Sequence, residues 1–184
     1  MLKPKAKLIP YTILLSALIL GLSGSSTTEK TEYTRLSKLT DSKGEKFSYD
    51  FTVRDATGKK IAFDEFKGKV LFINLWATWC GPCRSEMPTI QELYLDTDKD
   101  QVKFVMLSID KEKTINNIEG YIRSNAYTFP VYTPSGYLPE QLQVPSIPRT
   151  FIVSKDGIIV AEESGSTNFN TAKYRKLLKQ EAAK

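Results

Sequence analysis

The sequence predicts an α/β domain in which a central mixed β-sheet is flanked by helices and preceded by an N-terminal β-hairpin. Two nearly continuous apolar runs, residues 70–75 and 102–109, have the length of strands covered on both faces. A segment with helical apolar spacing follows each run, and this alternation favours a parallel centre of the sheet. The turn signal Asp156-Gly157 adds an antiparallel hairpin near the end of the chain.

Local signals place the individual elements within residues 47–184, the predicted domain. A turn at Ala56-Thr57-Gly58 predicts the N-terminal hairpin. Apolar residues that recur every three or four positions predict the helices, and Asn170 is the expected cap of the last one. In chain order, the predicted strands are 50–54, 60–63, 70–75, 102–109, 150–153 and 158–161, and the predicted helices are 83–96, 113–125 and 170–182.

The first 25 residues predict export from the cytoplasm. Three lysines precede an apolar run over residues 8–22, and small residues follow it. This order is typical of a secretory signal peptide. The run is shorter than the roughly 20 residues of a spanning helix, but an uncleaved membrane anchor stays an alternative. Residues 26–46 are rich in Ser, Thr, Lys and Glu and predict a flexible linker. The expected location is the periplasm or the outer face of the cytoplasmic membrane.

The composition excludes several kinds of chemistry. The 184 residues include two cysteines and no histidine. Without an imidazole, a Ser-His-Asp or Cys-His mechanism is impossible, and a four-ligand zinc site is not expected. The net charge is +5, and three of these positive charges lie in the predicted leader. The basic balance therefore does not predict nucleic-acid binding.

The two cysteines predict a site for thiol–disulfide exchange. Cys80 and Cys83 are separated by Gly81-Pro82 and lie between a buried strand and a helix. At a helix N-terminus, unpaired backbone N–H groups and the helix dipole stabilise a thiolate. Cys80 is therefore the predicted attacking residue and Cys83 the resolving one, while Pro82 suits the first helical turn. The alternatives are a structural disulfide and half of a metal site.

Two neighbours of the cysteines are candidate site residues. Glu86 lies one helical turn after Cys83, and a partly buried carboxylate with a raised pKa can accept a thiol proton. The alternative is a solvated Glu86 favoured by the helix dipole. Trp79 precedes Cys80 and is expected to be exposed in a docking surface, whereas Trp76 is expected in the core.

The run from Trp76 to Cys83 resembles the active site of the thioredoxin superfamily. More narrowly, it resembles the extracytoplasmic TlpA/ResA-like thiol–disulfide oxidoreductases. The residues that carry this narrower resemblance are Lys67-Gly68-Lys69, Asn74, Trp79 to Cys83, Glu86 and Pro88. The resemblance covers about residues 47–182 and implies a thioredoxin-like fold. Asn74 stands where thioredoxin has a buried Asp, so that residue cannot accept a proton here.

The resemblance also implies further site residues. Pro148 is expected to follow a cis peptide bond and to face the cysteines, and the backbone of Ile147 is expected to pair with the substrate chain. With Trp79, Gly81 and Pro82, these residues form the predicted substrate-binding surface. The region from 127 to 137 resembles an insertion between a strand and a helix. This region is expected to determine substrate preference.

In function, the resemblance implies an enzyme that reduces disulfides of exported proteins, with cytochrome c maturation as one role. No metal and no cofactor are expected beyond the redox-active Cys80–Cys83 disulfide. The implied partners are disulfide-containing exported proteins and a membrane electron carrier that recycles the cysteines, and a monomer is expected. The alternatives are a disulfide oxidase or isomerase, a copper chaperone-like metal-binding module, and a non-catalytic scaffold.

Overall fold

The computed structural model describes residues 42–111 and 114–184. The predicted signal peptide or anchor, residues 1–25, and the predicted linker up to residue 41 lie outside the described residues. Within the described ranges, no helix has the length and apolar character needed to cross a membrane.

Among the described residues, seven strands form one mixed sheet. They are β1 (Thr52–Arg54), β2 (Lys60–Ala62), β3 (Val70–Trp76), β4 (Val102–Ser108), β5 (Val131–Pro134), β6 (Arg149–Val153) and β7 (Ile159–Ser164). Their spatial order is β2-β1-β5-β4-β3-β6-β7. The pairs β3–β4 and β4–β5 are parallel, and all other pairs are antiparallel. The predicted α/β class, with a mixed sheet and an N-terminal hairpin, is confirmed.

In the described part of the chain, three α-helices accompany the sheet, and two of them begin later than the sequence predicts. They are α1 (Gly81–Leu95), α2 (Asn117–Ser124) and α3 (Ala172–Ala182). The cap of α3 is Thr171, so the prediction for Asn170 is wrong. The Asn170 side chain instead accepts a hydrogen bond from Arg175. Before α2, Thr114 and Ile115 form turns back to the Lys111 carbonyl and do not continue as helix.

The region from 127 to 137 is not simply an insertion, because it contains β5. This strand pairs with β4 on one side and with β1 on the other. Phe129 and Val131 are buried in the core. Pro130 and Pro134 interrupt the apolar pattern, and proline removes a backbone donor from a strand. The strand is therefore short and hidden from a search for periodicity.

The sheet has an apolar layer on each face, and β3 contributes to both by strict alternation. Phe72 and Trp76 face the layer that contains α1 and α3. Leu71, Ile73 and Leu75 face the opposite layer, which contains aromatic residues from the N-terminal part of the domain. All seven residues of β3 are buried. The strand therefore delivers its carboxyl end, and the loop that follows it, from a rigid base.

Residues 42–46, predicted as the end of the linker, run along β7. The Gly44 N–H donates to the Ile159 carbonyl at 2.7 Å, and the Ile159 N–H donates to the Glu45 carbonyl at 3.0 Å. Ser42 donates to the Glu162 carboxylate from both its backbone and its hydroxyl, each at 2.6 Å. The hydrogen-bonded part of the chain therefore begins before Phe47, where the sequence pattern places the start of the domain.

Candidate active site

The cysteine pair lies at the N-terminus of α1, as the spacing predicts. Cys80 is the N-cap residue, and its Sγ accepts a hydrogen bond from the Cys83 N–H at 3.2 Å. The two sulfurs form a disulfide of 2.02 Å. Cys80 is 6% exposed, whereas Cys83 is fully buried. Of the two cysteines, only Cys80 keeps some exposed surface. Its role as the attacking residue stays a prediction.

The helix start provides a favourable environment for a negative charge on Cys80. Its sulfur receives a backbone N–H directly, and the first N–H groups of a helix have no partner within the helix. The helix dipole adds a positive partial charge at the same place. A thiolate formed here after reduction is stabilised by groups that the fold has already oriented.

The predicted substrate-binding residues gather around Cys80. The Ile147-Pro148 peptide bond is cis, as the resemblance implies. The Ile147 carbonyl oxygen lies 3.8 Å from Cys80 Sγ. Trp79 is 60% exposed, and Gly81 and Pro82 are exposed as well. Cys80 therefore lies beside exposed residues that a peptide chain can contact. The binding roles of these residues stay predictions.

The sequence allows two interpretations of Glu86: a partly buried proton acceptor or a solvated residue. It is 1% exposed, so the solvated alternative is wrong. Its Oε1 accepts from Asn74 Nδ2 at 2.8 Å, and its Oε2 accepts from the Thr167 N–H at 3.0 Å. Burial raises the pKa of Glu86 to about 7, although these two hydrogen bonds act to lower it. A carboxyl group of this kind can hold or release a proton near neutral pH.

Asn74 connects Glu86 to the strand beside the cis proline. Its Nδ2 also donates to Thr150 Oγ1 at 2.8 Å. Asn74 and Thr150 face each other in the antiparallel register of β3 and β6. Among the described residues, no group donates a hydrogen bond to Asn74 Oδ1. The amide therefore directs both of its N–H groups to neighbours and supports the ionised form of Glu86.

A segment after β7 links Glu86 to the cis proline. The Gly165 N–H donates to the Pro148 carbonyl at 3.0 Å, while the Thr167 N–H reaches Glu86. Thr89 of α1 accepts from the Phe169 N–H at 3.0 Å. The same short segment thus fixes helix α1 and the loop before β6 relative to each other.

Three polar residues of this region were missed by sequence reasoning: Thr150, Thr167 and Asp110. Thr150 could have been found, because it lies in β6 two residues after Pro148. Asp110 could also have been found, because it follows a strand whose end lies beside the cysteine loop. Thr167 contributes a backbone N–H, which no residue type reveals.

Within residues 42–111 and 114–184, no three His, Cys, Asp or Glu side chains come close enough to hold a metal ion. The only cysteines of the chain are the two that form the disulfide.

The fold and the site define a thioredoxin-like protein with its cysteine pair at a helix N-terminus and a cis proline beside it. Residues 44–162 match the AhpC/TSA family, and the chain belongs to this family. The resemblance to ResA-like thiol–disulfide oxidoreductases, predicted from the motif, is confirmed by named relatives.

The chain is 35% identical over 117 residues to the thiol-disulfide oxidoreductase ResA of Bacillus thuringiensis subsp. konkukian (strain 97-27). It is 28% identical over 118 residues to ResA of Bacillus subtilis (strain 168). The matches cover 63% and 64% of this chain, and 66% and 65% of the relatives. The chain therefore spans slightly less than two thirds of the length of the relatives it matches.

Solved structures agree with the fold. StoA from Bacillus subtilis is similar with a TM-score of 0.56 and 27% identity, over 71% of this chain and 94% of StoA. A thiol:disulfide interchange protein from Chlorobium tepidum TLS is similar with a TM-score of 0.61 and 22% identity, over 77% of this chain and 99% of that one. The second likeness shows the fold alone.

Proposed function

We propose that this protein is an extracytoplasmic thiol–disulfide oxidoreductase that reduces disulfides of exported proteins. The observation that carries the proposal is the geometry at Cys80, whose sulfur caps α1, accepts the Cys83 N–H and lies 3.8 Å from the Ile147 carbonyl oxygen. The name of the ResA relatives and the intact cysteine pair support the same reaction class.

The proposed reaction begins with both cysteines reduced. The Cys80 thiolate attacks one sulfur of the substrate disulfide, which breaks and leaves the second substrate sulfur as a thiolate. The enzyme and substrate are then joined by a mixed disulfide. Cys83 loses its thiol proton and attacks Cys80 Sγ, which breaks the mixed disulfide and releases the other substrate thiolate. Two electrons pass to the substrate, its thiolates take up protons from water, and the Cys80–Cys83 disulfide remains.

Glu86 is the proposed acceptor for the Cys83 proton. It lies one turn further along α1 on the same buried face. With a pKa near neutrality, the carboxylate can take this proton and later return it when the disulfide is reduced again. The carboxylate is oriented before the reaction by Asn74 and Thr167. In this proposal the cysteines are the only redox group, and no metal or cofactor takes part.

The finer assignments rest on the family resemblance. Substrates are disulfide-containing exported proteins, and cytochrome c maturation is the process we assign to them. A membrane electron carrier with a dithiol would recycle the Cys80–Cys83 disulfide by the reverse exchange. The location follows from the predicted leader, and the protein acts as a monomer.

The reduction potential of the full-length chain tests the direction of the reaction. The protein is equilibrated in thiol buffers of defined potential, free thiols are alkylated, and the oxidised fraction is read by mass spectrometry. A midpoint below about −230 mV supports a reductase, whereas one above about −180 mV replaces this assignment by an oxidase or isomerase. Cys83→Ser is the control, because it cannot form the internal disulfide and must show no internal midpoint.

A further inference from the structure

Asp110 lies beside the loop that carries the attacking cysteine. In the parallel register of β3 and β4, Trp76 pairs with Ser108. Two residues further along each strand are Thr78 and Asp110, so both leave the sheet at the same edge. Thr78 in turn lies two residues before Cys80. The topology thus brings Asp110 to the cysteine loop without making it part of the cysteine motif.

The hydrogen bonds of the Asp110 carboxylate hold this loop and its own strand end. Its Oδ2 accepts from the Thr78 N–H at 2.8 Å and from the Ser108 hydroxyl at 2.7 Å. Its Oδ1 accepts from the Thr78 hydroxyl at 2.7 Å. The residue is 7% exposed. Burial acts to raise the pKa of Asp110, but the hydrogen bonds that it accepts, chiefly from Ser108 and Thr78, outweigh burial and lower the pKa.

The loop that Asp110 holds is a single tight turn. The Cys80 N–H donates to the Ala77 carbonyl at 3.1 Å, so Ala77 to Cys80 form a four-residue turn with Thr78 and Trp79 at its centre. Thr78 is fixed through both its backbone and its side chain. Trp79 follows directly and is 60% exposed. Trp79 belongs to neither apolar layer of the sheet, so its direction depends on the turn that carries it.

We propose that Asp110 is a positioning residue for protein substrates: its carboxylate fixes the Ala77–Cys80 turn so that Trp79 and Cys80 present one surface to a protein disulfide. This inference rests on the proposed function. A buried carboxylate is costly unless charge-assisted hydrogen bonds compensate it, and here those bonds fix the residue before Trp79. A small disulfide has less surface to place against Trp79 than a protein chain has, so the proposal separates the two kinds of substrate.

The test compares a protein disulfide with a small one, using the reduced full-length chain in detergent. Asp110→Asn removes the carboxylate charge, so the hydrogen bonds that fix Thr78 are no longer charge-assisted and become weaker. The KM for insulin disulfides is expected to rise roughly tenfold, with kcat and the rate with oxidised glutathione changed less than about twofold. Trp79→Ala is expected to raise the same KM, and adding Asp110→Asn to it is expected to have no further effect.

Asp55 provides a matched control. Its carboxylate accepts from the Thr57 N–H at 2.9 Å and from the Thr57 hydroxyl at 2.7 Å. This is the same pair of contacts in the β1–β2 turn, and β1 lies three strands from β3. Asp55→Asn is expected to leave the KM for insulin unchanged.

Three results would overturn the inference. One is an unchanged KM for insulin in Asp110→Asn. Another is an equal loss of rate with insulin and glutathione that follows a lowered Tm, because this describes a purely structural residue. The third is additive effects of Asp110→Asn and Trp79→Ala. Failure of the wild-type protein to reduce insulin would refute the proposed function itself, which is a different result from any of these.

Discussion

Replacing Glu86 by Gln is expected to remove a loss of stability that the wild-type protein suffers as pH rises. Burial raises the pKa of the Glu86 carboxyl from 4.5 to about 7, against the lowering effect of its hydrogen bonds from Thr167 and Asn74. Between these values, the folded protein keeps a proton that the unfolded chain releases. The stabilising contribution of this group is therefore complete below pH 4.5 and is lost as pH rises through about 7.

The size of the effect follows from the difference in pKa. From 4.5 to about 7 the difference is about 2.5, and each unit corresponds to about 1.4 kcal/mol, so the full loss is about 3 kcal/mol. The amide introduced by Glu86→Gln does not titrate, so the free energy of unfolding of the variant lacks this dependence. Each Glu86 oxygen accepts one N–H, whereas a glutamine side chain has a single acceptor oxygen. The variant therefore also carries a pH-independent cost of about 1–3 kcal/mol.

The measurement is urea unfolding of the oxidised full-length protein near pH 5 and near pH 8. The quantity compared is the difference in free energy of unfolding between wild type and Glu86→Gln at each pH. The contributions of the other titrating groups cancel in this difference. That difference is expected to change by about 2–3 kcal/mol in favour of the variant at the higher pH. Glu92→Gln is the control on the exposed face of α1. Its free energy of unfolding is expected to differ from that of wild type by the same amount at both pH values. If the difference for Glu86→Gln is also the same at both pH values, the carboxyl is not protonated near neutral pH and its role as proton acceptor must be withdrawn.

Three further perturbations test other parts of the site. Cys83→Ser is expected to accumulate a mixed disulfide that mass spectrometry detects, since no second thiol resolves it; complete turnover by this variant would contradict its resolving role. Asn74→Asp places a second carboxylate within hydrogen-bond distance of Glu86. Because two adjacent carboxylates share a proton, the pH profile of thiol exchange is expected to move to higher pH. An unmoved profile would argue against this coupling. Glu162→Gln leaves Arg149 without this carboxylate, where the two side chains are 8% and 6% exposed. The amide oxygen can still accept from Arg149, so the expected cost in urea unfolding is about 1–3 kcal/mol, and a cost below about 1 kcal/mol would show that the charge of Glu162 contributes little.

The fold could be predicted where the signal is local. The all-buried strand β3, the helix that starts at the cysteines and the hairpin at Asp156-Gly157 all follow from residues adjacent in sequence. β5 was not predicted, because prolines interrupt its apolar pattern. Its position depends on pairing with β1 and β4. The cap of α3 was missed by one residue for a related reason: the Asn170 side chain is used by Arg175 and not by the helix.

The sequence by itself determined the chemistry of Cys80 and Cys83, because a two-residue spacing before a helix is a local property of the chain. It also supplied Pro148 through the family resemblance. Only the tertiary structure decided the state of Glu86, whose partners Asn74 and Thr167 lie 12 and 81 positions away. The same is true of Asp110, which reaches Thr78 across 32 positions. The physical reason is that a pKa and a fixed loop depend on desolvation and on donors that distant segments provide, and no pattern in neighbouring residues records either of them.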